Sequence, residues 1–337
     1  MHTWPTANFP SPTRFEPWGE VMNWVIWRQH RNQAFVALVA VIGPVAILAA
    51  TGVHMAATYH SALRTCAATG GCDSVADGLF NGDGAIIDLV NATTIVPLLI
   101  GMFWGAPLLA REFEFGTQRF MWTQSVTRRR WLASKTIALM GAAIMVSGVT
   151  AAAVTWWSRT FDLSVHNRFD KFDIQGFVPV AYAVFAAALG LAAGIVIRRT
   201  LPAIVTALVG FSGLRLVVAI YVRPHFMTAV SDRLAVTASG TGLNGSNWVL
   251  SNHYNDAAGR PVSNDGILSA MPASCRQFIG TTRAQILSCV GDHGWYRTLT
   301  YQPADRFWTF QCIEAAIFVT LALALIVVAV AAVRNDA

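Results

Sequence analysis

Charge is what this sequence has least of. Its 337 residues include 24 Lys+Arg and 18 Asp+Glu, 12% of the chain, against roughly 25% in soluble domains. Hydrophobic residues make up 54%, and mean hydropathy is +0.47. So few charges cannot cover a water-soluble protein of this length, whereas several bilayer-length apolar runs use up such a composition. The net charge of +6 is scattered between apolar runs and forms no single patch, which argues against a nucleic-acid partner. Residues 1–17 are polar and carry Pro5, Pro10, Pro12 and Pro17, with no short apolar core before a small-residue cleavage site, so no removable signal peptide is expected. The sequence also lacks a Gly-x-x-x-x-Gly-Lys-Ser/Thr phosphate loop, a His-Glu-x-x-His pair and a Gly-x-Ser-x-Gly elbow. His54, His60 and Asp88 form no clear catalytic group, and no alternating carboxylate loop for calcium is present. No catalytic residue, metal site or cofactor is expected in this chain.

Six apolar runs are long enough to cross ~30 Å of hydrocarbon at ~1.5 Å per residue; they cover 34–57, 89–110, 132–157, 176–197, 200–222 and 307–333. The second is the weakest, interrupted by Asn91, Thr93, Thr94 and Pro97. The expected fold is an all-α polytopic membrane protein of six transmembrane helices, with both termini on one side. That side collects twelve Lys/Arg against five Asp/Glu, and the other eleven against twelve. By the positive-inside rule the N and C termini are then cytoplasmic, and the chain sits in the plasma membrane. Trp131, Trp156, Trp157 and Trp308 fall at span ends, where indoles favour the headgroup layer.

Within 1–33, Trp18, Val21, Met22 and Val25 recur at helical spacing among polar residues, as in an interfacial elbow helix; a plain extension of the first span is the alternative. Residues 34–222 hold spans one to five. Spans four and five are joined only by Arg198 and Arg199, which demands a tight hairpin. Residues 223–306 are rich in Gly, Asn, Ser and Asp and read as an extracellular cap, followed by span six and the C-terminus over 307–337. Four of the five cysteines fall outside the cell in this scheme: Cys66 and Cys72 in the first outer loop, Cys275 and Cys289 in the cap. Two local disulfides are the simplest pairing of the three possible, with free thiols as the alternative. Cys312, inside span six, reads as a packed thiol.

The inner loop over 111–131 is denser in both charges and aromatics than any other segment. Phe113, Phe120 and Trp122 beside Glu and Arg suit either a docking surface for a protein partner or side chains resting in the inner headgroup layer. The same stretch resembles the signature of ABC-2 type permeases, a Glu-x-Gly-Thr after span two, then a Thr-x-Ser-x-x-Arg-like segment and a Lys. Here these are Glu114, Gly116, Thr117, Thr123, Ser125, Arg128 and Lys135. The order of elbow, six spans, short hairpin and cysteine-bearing cap also resembles the G-subfamily-like exporters of that family, although the first outer loop is longer than a simple match would have. The resemblance implies a coupling helix, with Glu112, Phe113, Glu114, Gly116, Thr117, Arg119, Phe120, Trp122 and Arg128 seated on a separate ABC ATPase subunit that binds ATP and Mg. It further implies two ATPase copies, a second permease chain as a homodimer partner, and export of an amphipathic small molecule, drug or lipid. The family's pocket between spans two and five would place Thr94, Leu98, Met102, Phe211 and Leu214 against substrate.

Two charges lie inside spans. Arg215 sits seven residues before Val222, and Glu314 seven after Phe307, so both lie about 10 Å deep. Equal depth and opposite sign predict mutual neutralisation, with outward snorkelling of Arg215 as the alternative. Two other function classes remain on the sequence alone: a membrane sensor or signalling receptor using the cap as its ligand module, and an intramembrane enzyme.

Overall fold

The computed structural model describes residues 42–54, 56–58, 61, 64, 84–116, 127–162, 168–236, 247–262, 267–279 and 283–335. The expected elbow helix, the Cys66 and Cys72 pair, and Thr117, Arg119, Phe120 and Trp122 lie outside them. The chain divides into two units, Met1–Ile47 and Leu48–Ala337; of the first, the described residues are helical.

Among the described residues five helices are long and apolar enough to cross a membrane, and a shorter apolar helix, α1, covers Ile42–Thr58. The five are α2 (Ile86–Glu114), α3 (Arg128–Asp162), α4 (Val178–Ile197), α5 (Thr200–His225) and α7 (Phe307–Asn335). Between α5 and α7 lies a folded insertion with strands β1 (Val230–Ala235), β2 (Trp248–Asn255), β3 (Pro261–Val262) and β4 (Tyr296–Gln302) and a helix, α6 (Arg283–Asp292). This corrects the all-α expectation. The strands form one antiparallel sheet in the order β1-β4-β2-β3, and half-buried and exposed residues alternate along β1 with the period of two that a sheet requires.

The centre of the helical part is α4. Its most apolar stretch is 72% buried, against 22–33% for the other four, because α2, α3, α5 and α7 all pack on it. Nine of its 20 residues are Ala or Gly, so neighbours come close. A Cβ on Gly190 would lie 2.3 Å from the Gly101 carbonyl oxygen, and one on Gly194 2.7 Å from that of Ala106. These backbones touch where small-residue faces permit it. The outward faces of α3, α5 and α7 expose Ile137, Met145, Leu201, Val209, Leu323 and Val327, the composition of a lipid-facing surface.

Helix α2 is irregular. It passes from α-helix through a 3₁₀ turn (Thr93–Ile95) to a π-turn (Gly101–Gly105), in which the Ala106 N–H reaches the Gly101 carbonyl. Pro107 follows at once. A proline removes one N–H and crowds the carbonyl four residues earlier, and a wide turn just before it relieves that clash. The turns that weaken the apolar pattern in sequence are thus the places where the helix changes winding.

The insertion is rooted on the spans by rings and amides. Trp248 stacks on Phe169 (5.2 Å), and Phe169 also meets Phe307 and Phe310 edge-on. The Gln302 amide donates to the Met227 carbonyl at 2.7 Å, and Arg306 donates to that of Thr228 at 2.7 Å. Its own small core gathers Val236, Val262, Met271, Val290 and Trp295 around the Cys275–Cys289 bridge, whose Cα atoms are 5.7 Å apart.

Candidate functional site

Two polar assemblies stand at opposite ends of the spans. At the end carrying the Arg198-Arg199 hairpin, the last turn of α2 distributes three successive side chains to three elements. Glu112 pairs with Lys135 of α3. Phe113 meets the Trp131 ring edge-on at 6.5 Å and faces the Arg198 guanidinium at 5.5 Å. Glu114 Oε2 accepts hydrogen bonds from the Thr200 N–H (3.0 Å) and hydroxyl (2.6 Å). The first N–H groups of a helix have no partner within it, and Arg199, the N-cap residue of α5, supplies none from its side chain. Glu114 is therefore a capping group lent by another helix, with its negative charge at the positive end of the α5 dipole.

Arg198 closes α4 in the left-handed region (φ 57), its N–H bonded to the Gly194 carbonyl at 3.1 Å. Past Glu114 the chain bends at Gly116, whose φ of +69 favours glycine and around which an added Cβ would meet nothing within 4 Å. Phe115 beside it is 76% exposed. Of the residues expected to face a partner, Glu112, Phe113 and Glu114 contact their own chain, while Gly116 remains at the surface; Phe115, which was not among them, is exposed beside it. Arg128 begins α3.

At the end carrying the insertion, the expected Arg215–Glu314 contact is replaced by a larger network. Glu314, 0% exposed, receives Arg223 Nε on Oε2 and Nη2 on Oε1, both at 2.8 Å, and a hydrogen bond from the Tyr182 hydroxyl. Arg223 also reaches Asp173 Oδ1 at 2.5 Å and covers the Phe172 ring at 4.2 Å. Arg215 pairs with Asp173 Oδ2 at 3.2 Å and donates to the Thr94 hydroxyl at 2.5 Å. Two cations and two carboxylates thus neutralise one another across α2, α4, α5, α7 and the segment before α4. Burial opposes charge on Asp173, yet Arg223 and then Arg215 outweigh it and hold the carboxyl below its ordinary range. Sequence reading missed Asp173, Tyr182 and Arg223 because the first and last lie at span ends, where a charge ordinarily needs no explanation.

The residues expected to touch substrate are mostly packed. Phe211 is 2% exposed, with Tyr182 and Phe185 rings 6.2 and 6.3 Å away. Leu98 and Leu214 lean on the same cluster, Met102 is half-buried, and Thr94 is engaged by Arg215. Cys312 is exposed on α7, contrary to the packed thiol expected. Cys275, Cys289 and His293 converge within 4.8 Å, but the two sulfurs are bonded to each other. The imidazole meets the Ser274 hydroxyl and the Cys289 carbonyl, both at 2.8 Å, so this is a pinned disulfide with no vacant ligand set.

Among the described residues the polar groups at the two ends of the spans tie helices to one another, through Glu112–Lys135 and Glu114–Thr200 at one end and Arg223–Glu314 at the other. The family model for "ABC-2 membrane transporter related" proteins matches residues 36–223, more than half of the chain. No curated protein and no solved structure matches it. By that match, on a bundle of apolar helices with a polar seam at each end, the chain belongs to the ABC-2 membrane transporter related family.

Proposed function

We propose that the chain is the permease subunit of an ATP-binding cassette exporter of the ABC-2 type. Hydrolysis takes place on a separate ATPase subunit, which holds ATP and Mg. This chain, paired with a second copy, carries an amphipathic small molecule, drug or lipid outward across the plasma membrane. Family membership supports a transport component, and the hairpin-end geometry supports the coupling route. The bend at Phe115 and Gly116 stands clear of the bundle and offers an aromatic anchor to a cleft on the ATPase. Force on that bend reaches α3 through Glu112 and Lys135, and α5 through Glu114 and Thr200. Displacing the bend therefore displaces the start of α5 directly. The excess of basic residues at the hairpin end supports a cytoplasmic position for it and for both termini, with the cap and its Cys275–Cys289 bridge on the oxidising side.

The observation that carries this reading is the pairing of an exposed bend at Phe115 and Gly116 with the residue just before it, Glu114, which caps the start of α5. The test is purification of the full chain in mild detergent with whatever ATPase accompanies it. Hydrolysis should fall in Phe115→Asp with no change in thermal stability, since Phe115 packs on little of its own chain. An ATPase bound and equally active with Phe115→Asp would refute the docking site, and absence of any ATPase partner would refute the exporter reading.

A further inference from the structure

Arg223 reaches Glu314 only because the helix before it is wound too wide. α5 is α-helical through Val217 and then makes one π-turn, Val218–Val222, in which the Arg223 N–H bonds to the Val218 carbonyl five residues back. A π-turn holds about one residue more than an α-turn, so everything beyond it is set back by about 100°. The buried stripe of α5 runs Ala203, Ala207, Phe211 and Val218. Continued in α-helical register, that stripe would next bury Val222. In the π register Arg223 lies beneath it instead, 7% exposed, while Val222 is 38% exposed.

We infer that residues 218–223 are a register switch: the π-turn is held by the buried Arg223–Glu314 pair, and its relaxation to α-helix swings Arg223 outward and unlatches α5 from α4 and α7. The inference concerns this chain alone and stands whether or not an ATPase drives it. A wide turn has poorer hydrogen bonds than an α-turn and is retained where something beyond it is gained. The gain here is the two-pronged contact with a fully buried carboxylate, plus Asp173 and the Phe172 ring. The two registers differ in one discrete step, as a two-state element must. The step also reaches the insertion, because the Gln302 amide holds the Pro224 and Met227 carbonyls just past the turn. In the latched state the root of β1 is fixed to α4 and α7; in the unlatched state those ties shift with the end of α5.

Hydrogen–deuterium exchange of the full chain in lipid nanodiscs, read on peptides covering 214–235, tests this. Glu314→Gln removes the charge at constant volume and should speed exchange of the 218–223 amides and of β1 by about tenfold or more. The paired exchange Val222→Arg with Arg223→Val offers the cation in α-helical register, so no π-turn is needed to reach Glu314. That variant should exchange no faster than the wild type. A merely structural ion pair would make the paired exchange as disruptive as Glu314→Gln, and that result overturns the switch. Unchanged exchange in Glu314→Gln overturns it as well. Should the paired variant fail to fold, Arg223→Lys, which keeps charge but loses the fork, should lie between wild type and Glu314→Gln; equality with wild type refutes the role of the two-pronged contact.

Discussion

Replacing Gly190 by alanine adds a single methyl group where α2 and α4 have no room for it. The new Cβ would lie 2.3 Å from the Gly101 carbonyl oxygen, 2.7 Å from the Ala106 nitrogen and 3.0 Å from the Gly105 carbonyl carbon. All three are backbone atoms, so no side chain can rotate away. Two of them are also the acceptor and donor of the π-turn bond that lets α2 pass Pro107. Tilting the helices gives no relief, because Gly101 and Gly105 sit equally close to Ala186 and Ala187 along the same seam. Overpacking costs about 1–3 kcal/mol, and rigid neighbours put this site near the top of that range. Alanine regains about 1 kcal/mol of helix propensity over glycine, leaving a net loss of about 2 kcal/mol. Gly141 on α3 is the control: its added Cβ meets nothing within 4 Å, so alanine there should stabilise by up to about 1 kcal/mol. Unfolding of the purified chain by SDS titration should then separate the two variants by about 3 kcal/mol, the sum of the two effects. Equal midpoints would refute the close packing of α2 on α4.

The charge network should respond asymmetrically. Arg223→Met leaves Glu314 buried with only a tyrosine hydroxyl and should cost about 4 kcal/mol, whereas Glu314→Met leaves Arg223 with Asp173 and should cost less. Restoration of much of the loss in the double Met variant, by the same titration, checks that the cost comes from the unpaired charge. Arg198→Gly should be close to neutral, since removing left-handed strain of about 1 kcal/mol offsets the lost stacking on Phe113, while Arg198→Val should destabilise clearly. Asp173 has a lowered folded pKa, so its contribution is full above the unfolded value near about 3.9 and is lost as pH falls through the folded value. Melting temperature measured from pH 7 to pH 3 should therefore drop more steeply in wild type than in Asp173→Asn; parallel curves would refute it.

Five of the spans were legible because a bilayer-length apolar run admits little else, and observed ends fall within a few residues of the expected ones: 176–197 against Val178–Ile197, 307–333 against Phe307–Asn335. The two-residue hairpin was legible for the same reason. The sheet in the cap was not, since turn residues dominated that composition and strands such as β1 carry no strong apolar face. The four indoles expected at span ends differ in exposure. Trp156 and Trp308 are nearly half exposed, but Trp131 and Trp157 are buried, because a residue at the end of one helix can still lie beneath another.

The site was harder to read because the relevant spacing is not that of an α-helix. Depth counted at a uniform rise paired Glu314 with Arg215, and the count was sound for α7, which is regular from Phe307 onward. It failed on α5, where the π-turn changes which residue faces inward just before the span ends. Nothing in Val218-Ala219-Ile220-Tyr221-Val222 marks a wide turn; the turn depends on a carboxylate 91 residues away in sequence. The hairpin end shows the same limit. Phe113 was singled out by composition and Glu112 and Glu114 by the family resemblance, yet their partners Lys135, Trp131, Arg198 and Thr200 come from two later segments. Local sequence pointed to Arg215 and Glu314 at one end and to Glu112, Phe113 and Glu114 at the other, and missed Asp173, Tyr182 and Arg223. Only the packing of α4 against its neighbours determined which of them meet.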